Sequence, residues 1–137
     1  MRKKLLTFLI VSIILATTII NVSAYKKYDF TGNNAVTLKN INRNTLVQCA
    51  EKESTSIRYM KFSWTGGTVN DFYMWGEGAD EEIITNIRHF TNDDLGDGYK
   101  RINYTENHYV AKGNLISVYA EQNNIASKTL RGYLYVY

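Results

Sequence analysis

Past the first two dozen residues, apolar and polar positions alternate in short runs, each closed by a turn signal. In residues 57–64, Met60, Phe62 and Trp64 fall on one side of an extended chain, with Tyr59, Lys61 and Ser63 on the other. Thr65, Gly66, Gly67 and Thr68 follow, a composition suited to a tight hairpin turn, so residues 71–75 are expected to return as the partner strand. Residues 99–104, 114–121 and 129–137 read as further strands, the last two joined by Gln122, Asn123 and Asn124 as a turn. Residues 80–90 are ambiguous. Asp80 could cap a helix presenting Ile83, Ile84, Ile87 and Phe90 on one face, but the β-branched content and the neighbouring strands favour a strand over 82–90. Residues 25–34 read as a loosely held entry segment. The whole pattern predicts an all-β fold, a single small antiparallel β-sandwich.

The first 24 residues break the alternation. Arg2, Lys3 and Lys4 precede a long apolar run that ends at Asn21, Val22, Ser23 and Ala24, the form of a secretory signal with cleavage expected before Tyr25. A retained membrane anchor is the alternative, but the run is short of the ~20 apolar residues that span a bilayer. The domain division is therefore a signal peptide over 1–24 and a secreted domain over 25–137. The residue directly after the cleavage point is Tyr25, not a cysteine, and the chain contains no proline, so neither a lipid-modified N-terminus nor a proline-containing wall-sorting motif is expected. Release to the extracellular space is the expected destination. The Lys-, Asn- and Ile-rich, proline-free composition suggests a low-GC Gram-positive source.

Charge then narrows the function classes. The chain's formal charge of +3 belongs to the three cations of the leader, so the secreted domain is neutral overall. A nucleic-acid binder or a cationic lytic peptide needs a surplus of Lys and Arg, and neither class is expected. The membrane is expected to be a partner only through the uncleaved signal. Cys49 is the single cysteine, which removes the disulfide-stapled toxins. In the run of residues 45–50 it reads as a small buried apolar residue, with an intermolecular bridge or a nucleophile as the alternatives.

Candidate chemistry is sparse. His89 and His108 stand at no zinc-site spacing, and nothing around Cys49 resembles a nucleophile motif that would pair it with His108. No catalytic residue, metal site or cofactor is expected, and the protein is read as a non-enzyme. Residues 77–97 hold seven acidic side chains, and Asp93, Asp94 and Asp97 cluster around glycines. The calcium-loop pattern fails because Tyr104 stands where the closing glutamate belongs, so a solvated polar turn is the better reading.

Tyrosine is the unusual feature, with 11 in the chain, all beyond the leader. In the last strand Tyr133, Tyr135 and Tyr137 share one face while Leu134 and Val136 share the other. In the preceding strand Ile116, Val118 and Ala120 point inward and Tyr119 outward. If those two strands pair, Tyr119, Tyr133 and Tyr135 form an outward strip, the candidate binding residues. Aromatic faces with hydroxyl tips suit sugar rings, peptidoglycan fragments or a protein partner.

Gly98-Tyr99, the stretch from Tyr104 to Tyr109, the stretch from Ile116 to Asn124 with its Ala-Glu-x-Asn-Asn turn, and Arg131-Gly132-Tyr133 resemble a family of small secreted Gram-positive proteins catalogued only as a domain of unknown function. The chain departs from that family by ending on Leu134, Tyr135, Val136 and Tyr137, where a tryptophan is expected soon after the Gly-Tyr pair. More distantly, the plan of signal peptide, compact sandwich and aromatic last strand is similar to the lactococcin-like bacteriocins. That likeness implies a secreted antagonist of Gram-positive cell-wall synthesis that binds a wall precursor. The expected function is thus a bacteriocin-like protein acting at the cell envelope, on a wall component or an envelope protein. A non-toxic carbohydrate- or wall-binding module is the alternative.

Overall fold

The computed structural model describes residues 25–40, 43–106, 108 and 110–137, and the signal sequence read at 1–24 lies outside the described residues. Nine strands run β1 (Lys26–Asp29), β2 (Val36–Leu38), β3 (Thr45–Glu51), β4 (Tyr59–Gly67), β5 (Phe72–Glu77), β6 (Arg88–Phe90), β7 (Lys100–Asn103), β8 (Leu115–Glu121) and β9 (Lys128–Val136). They form two antiparallel sheets. The first has the order β1-β9-β4-β7, with β2 sharing the β1 edge of β9; the second has the order β3-β8-β5-β6. The fold is the all-β sandwich that the alternation predicts.

The core follows from that alternation. Met60, Phe62 and Trp64 of β4 and Leu130, Leu134 and Val136 of β9 face Phe72 and Met74 of β5 and Ile116, Val118 and Ala120 of β8. At its centre Phe62, Trp64, Phe72 and Phe90 meet with ring centroids 4.8 to 6.0 Å apart, mostly edge to face. Gly132 interrupts the inward row of β9, because a Cβ there would lie 2.3 Å from the Ser63 carbonyl oxygen and 2.6 Å from the Phe62 ring. The missing side chain is the space that ring occupies.

Five local expectations are corrected. The β4–β5 hairpin does not form. Gly66 and Gly67 continue the pairing with β9, opposite Arg131 and Leu130, after a bulge between Trp64 and Gly66, and the Thr68 and Val69 amides donate to the Thr129 carbonyl while the chain crosses to the other sheet. The physical reason is that the end of β4 stays bonded to β9 through Gly67, Thr68 and Val69, which carries the chain past a tight turn, and Trp64 and Phe72 then face each other across the core, 5.2 Å apart. Nor do β8 and β9 pair. Gln122, read as part of the turn between them, is fully buried, and its amide donates to the Leu38, Lys39 and Ala126 carbonyls as the chain changes sheets.

The entry segment is held, not loose. β1 pairs with β9, and Phe30 is buried with its amide 2.9 Å from the Gly132 carbonyl. Finally, 82–90 is neither a helix nor one strand. Ile83 bridges Glu77, Thr85 bridges Tyr104, and only Arg88–Phe90 pairs continuously, with β5. The Thr85 hydroxyl accepts the Gly76 amide, so this segment laces β5 to the end of β7 and spends its extended backbone on both sheets in turn. The run 45–50 is strand β3, where a bulge between Leu46 and Gln48 turns Cys49 outward, opposite Ser117. Cys49 is therefore exposed, against the expectation of burial, because the extra residue shifts the alternation by one position.

Candidate functional site

The outward face of the first sheet carries the arrangement richest in recognition chemistry. Strand register places Lys27, Tyr135, Lys61 and Arg101 side by side across β1, β9, β4 and β7. Adjacent strands lie ~4.8 Å apart, so these side chains form one row across the sheet. Tyr137 and Tyr59 flank the row on one side and Tyr133 on the other, and Tyr25 and Tyr99 both pack against the Tyr135 ring.

Cations and rings are interleaved. The Lys27 ammonium sits 3.9 Å from the Tyr133 ring centroid, Lys61 lies 5.4 and 5.2 Å from Tyr59 and Tyr137, and the Arg101 guanidinium is 4.5 Å from Tyr59. Among the described residues none of these three cations has a carboxylate within 4.0 Å, whereas Lys26, Arg88 and Lys100 each do. Residues 25–137 are neutral overall, and their charge is unevenly placed: acidic residues gather in 77–97 while this face carries Lys27, Lys61 and Arg101.

Tyr25, Lys61, Tyr99, Tyr135 and Tyr137 enclose a hollow of about 260 Å³ on this face. The Tyr99 and Tyr135 hydroxyls are hydrogen-bonded at 3.0 Å. Partial burial, and then that bond, push the Tyr135 phenol above its ordinary value, so it stays a neutral donor through the physiological range.

Of the three tyrosines expected to form one strip, Tyr133 and Tyr135 belong to this face and Tyr119 does not. Tyr119 lies on the outer surface of the opposite sheet, its ring 6.0 Å from Trp75, whose indole N–H donates to Glu77. The outward direction of all three follows the alternation, but the strip is divided because β8 and β9 belong to different sheets. Lys27, Lys61 and Arg101 went unnoticed in the sequence because their alignment across four strands is a matter of register. Tyr25 lies just before β1, and Tyr99, read as the first residue of a strand over 99–104, lies just before β7 and meets Tyr135 only through the tertiary fold.

The other polar clusters are committed within the fold. His108 lines a hollow of about 600 Å³, where its ring nitrogens lie 2.6 Å from the Thr105 hydroxyl and 2.9 Å from Glu82. Both nitrogens are thereby occupied, so His108 is no partner of the outward Cys49. In the acidic turn, burial opposes ionisation of Asp94, but the Thr91 amide, Lys100 and Arg88 together hold its carboxyl below the usual carboxylate range. Asp97 binds Lys100 at 2.6 Å. Among the described residues no group of three His, Cys, Asp or Glu side chains is placed to hold a metal.

Comparison of the chain with protein-family models, with curated proteins and with solved structures found no match.

Proposed function

We propose that the protein acts outside the cell as a binding protein of the Gram-positive envelope, through the tyrosine and cation face of the β1-β9-β4-β7 sheet. One observation carries the reading: Lys27, Lys61 and Arg101 stand among six tyrosines without a carboxylate partner among the described residues. Such a face offers ring surfaces for the C–H faces of sugars, hydroxyls for their oxygens and cations for anionic groups. Envelope glycans and wall precursors combine those three features. A bacteriocin-like antagonism follows if the ligand is a precursor, since a bound precursor is withheld from wall synthesis. A passive wall-binding module uses the same face without that consequence.

The test takes the secreted form, beginning at Tyr25, and sediments it with isolated Gram-positive walls. Replacing Lys27, Lys61 and Arg101 together by Gln is expected to leave the protein in the supernatant while it still melts cooperatively, at a temperature lowered only by the lost cation–ring contacts. A variant that sediments as well as the parent overturns the reading. Growth of related bacteria with added protein then separates the antagonist, which inhibits, from the passive module, which does not.

A further inference from the structure

We infer that the hollow bounded by Tyr25, Tyr99, Tyr135 and Tyr137 is a subsite for a single carboxylate-bearing pyranose ring, with Lys61 pairing the carboxylate. This rests on the reading of the whole face as an envelope-binding surface and adds the class of unit it takes.

Size comes first. At about 260 Å³ the hollow lies below the ~300–1,000 Å³ typical of sites for drug-sized ligands, so it holds one ring and not an extended ligand.

Ring geometry comes second. Tyr25 is tilted 45° to Tyr135 and 47° to Tyr137, and Tyr99 stands at 88° to Tyr135. Among these pairs there is no parallel slot to sandwich a planar base, which is how single-stranded nucleic acids are gripped. A puckered sugar ring presents C–H groups in several directions and packs against walls that are themselves tilted.

Polar chemistry comes third. In the Tyr99–Tyr135 pair one hydroxyl donates to the other, so the accepting phenol keeps a proton to donate outward, and both oxygens keep lone pairs. The pair can therefore both donate to and accept from sugar hydroxyls. Lys61 borders the hollow beside the Tyr137 ring, with its ammonium donors uncommitted to any carboxylate among the described residues. An acidic substituent on the sugar supplies the missing charge.

Two sources share this chemistry, a uronic acid and the lactyl-bearing amino sugar of the wall glycan, and free monosaccharides separate them. The experiment titrates the intact secreted domain with glucuronate, N-acetylmuramate, glucose and a short single-stranded oligonucleotide, following tyrosine ring signals by NMR. The expected result is saturable shifts at Tyr25, Tyr99 and Tyr135 with at least one of the two acids. Its affinity should be about tenfold above that for glucose, the size of one charge-assisted hydrogen bond. Lys61→Gln should bring the acid down to the level of glucose without moving the melting temperature, and Lys61→Arg should restore part of the preference. Equal binding of glucose, no shift with either acid, or tighter binding of the oligonucleotide at these tyrosines overturns the subsite. If the protein still sediments with walls and Lys61→Gln alone sediments unchanged, the subsite fails while the envelope reading stands. Loss of sedimentation by the parent protein itself would remove both.

Discussion

The Tyr104 hydroxyl is buried and has no hydrogen-bond partner among the described residues, while its ring lies 4.9 Å from the ammonium of Lys52. Lys52 is itself only 2% exposed, and its ammonium donates to the Ser54, Ile57 and Tyr137 carbonyls. Burial pushes the Tyr104 phenol up and holds Lys52 below its ordinary value. Tyr104→Phe keeps the ring and removes an unsatisfied polar atom, so it is expected to raise stability by about 1 kcal/mol in chemical denaturation. A loss of that size would show that the hydroxyl has a partner.

Tyr28, Tyr104 and Tyr135 all have folded values raised above 10.0. Above pH 10 the unfolded chain releases protons that the folded protein keeps, so stability falls as pH climbs. Lys52 acts oppositely. Its folded value lies below 10.5, so its contribution rises with pH only until 10.5 and then saturates. Urea midpoints measured from pH 8 to 12 are expected to fall steeply above 10.5, and less steeply in Tyr104→Phe. An unchanged slope in that variant would contradict the assignment.

At the scale of elements, β9 concentrates the most testable physics, since it pairs with β1, β2 and β4 and carries a core face and a recognition face on alternate residues. Val136 is fully buried, so Val136→Ser is expected to cost about 2–3 kcal/mol. Tyr133→Ser removes an outward ring and the Lys27 contact, and should cost ~0.5–1 kcal/mol. Similar losses for the two variants would mean the faces are exchanged, as a one-residue slip of register would make them. Gly132→Ala sets a methyl group into the Ser63 carbonyl and the Phe62 ring. It should lower the urea midpoint by the equivalent of about 1–3 kcal/mol with the denaturant slope unchanged. Tolerance of alanine there would show that β4 and β9 can separate more than the geometry allows.

For the molecule as a whole, the first sheet joins the two ends of residues 25–137 through β1 and β9. Pairings of such long sequence separation are formed late and slowly, and they make the sandwich a single cooperative unit. A chain starting at Thr31 lacks β1 and Phe30, and it should lose about 2 kcal/mol from Phe30 alone, with more from the exposed edge of β9. It is expected to melt well below the chain starting at Tyr25. An equal melting temperature would mean that β1 is a passive appendage.

The alternation of residues 57–64, 114–121 and 129–137 was enough to determine strand type, the inward residues and the outward tyrosines, because in a strand the side-chain period is local and needs no partner. Which strands pair is a different kind of information. The β4–β5 and β8–β9 connections look like hairpins, and both become crossings between sheets, one because the end of β4 stays bonded to β9 past the glycines and Trp64 and Phe72 face each other across the core, the other because buried Gln122 anchors the corner to Leu38 and Lys39. Tertiary structure alone therefore placed Tyr119 on the opposite surface from Tyr133 and Tyr135, turned Cys49 outward at a bulge, and brought Lys27, Lys61 and Arg101 from three separated strands into one row. The candidate site is a product of register, and register is set by long-range burial that no local pattern contains.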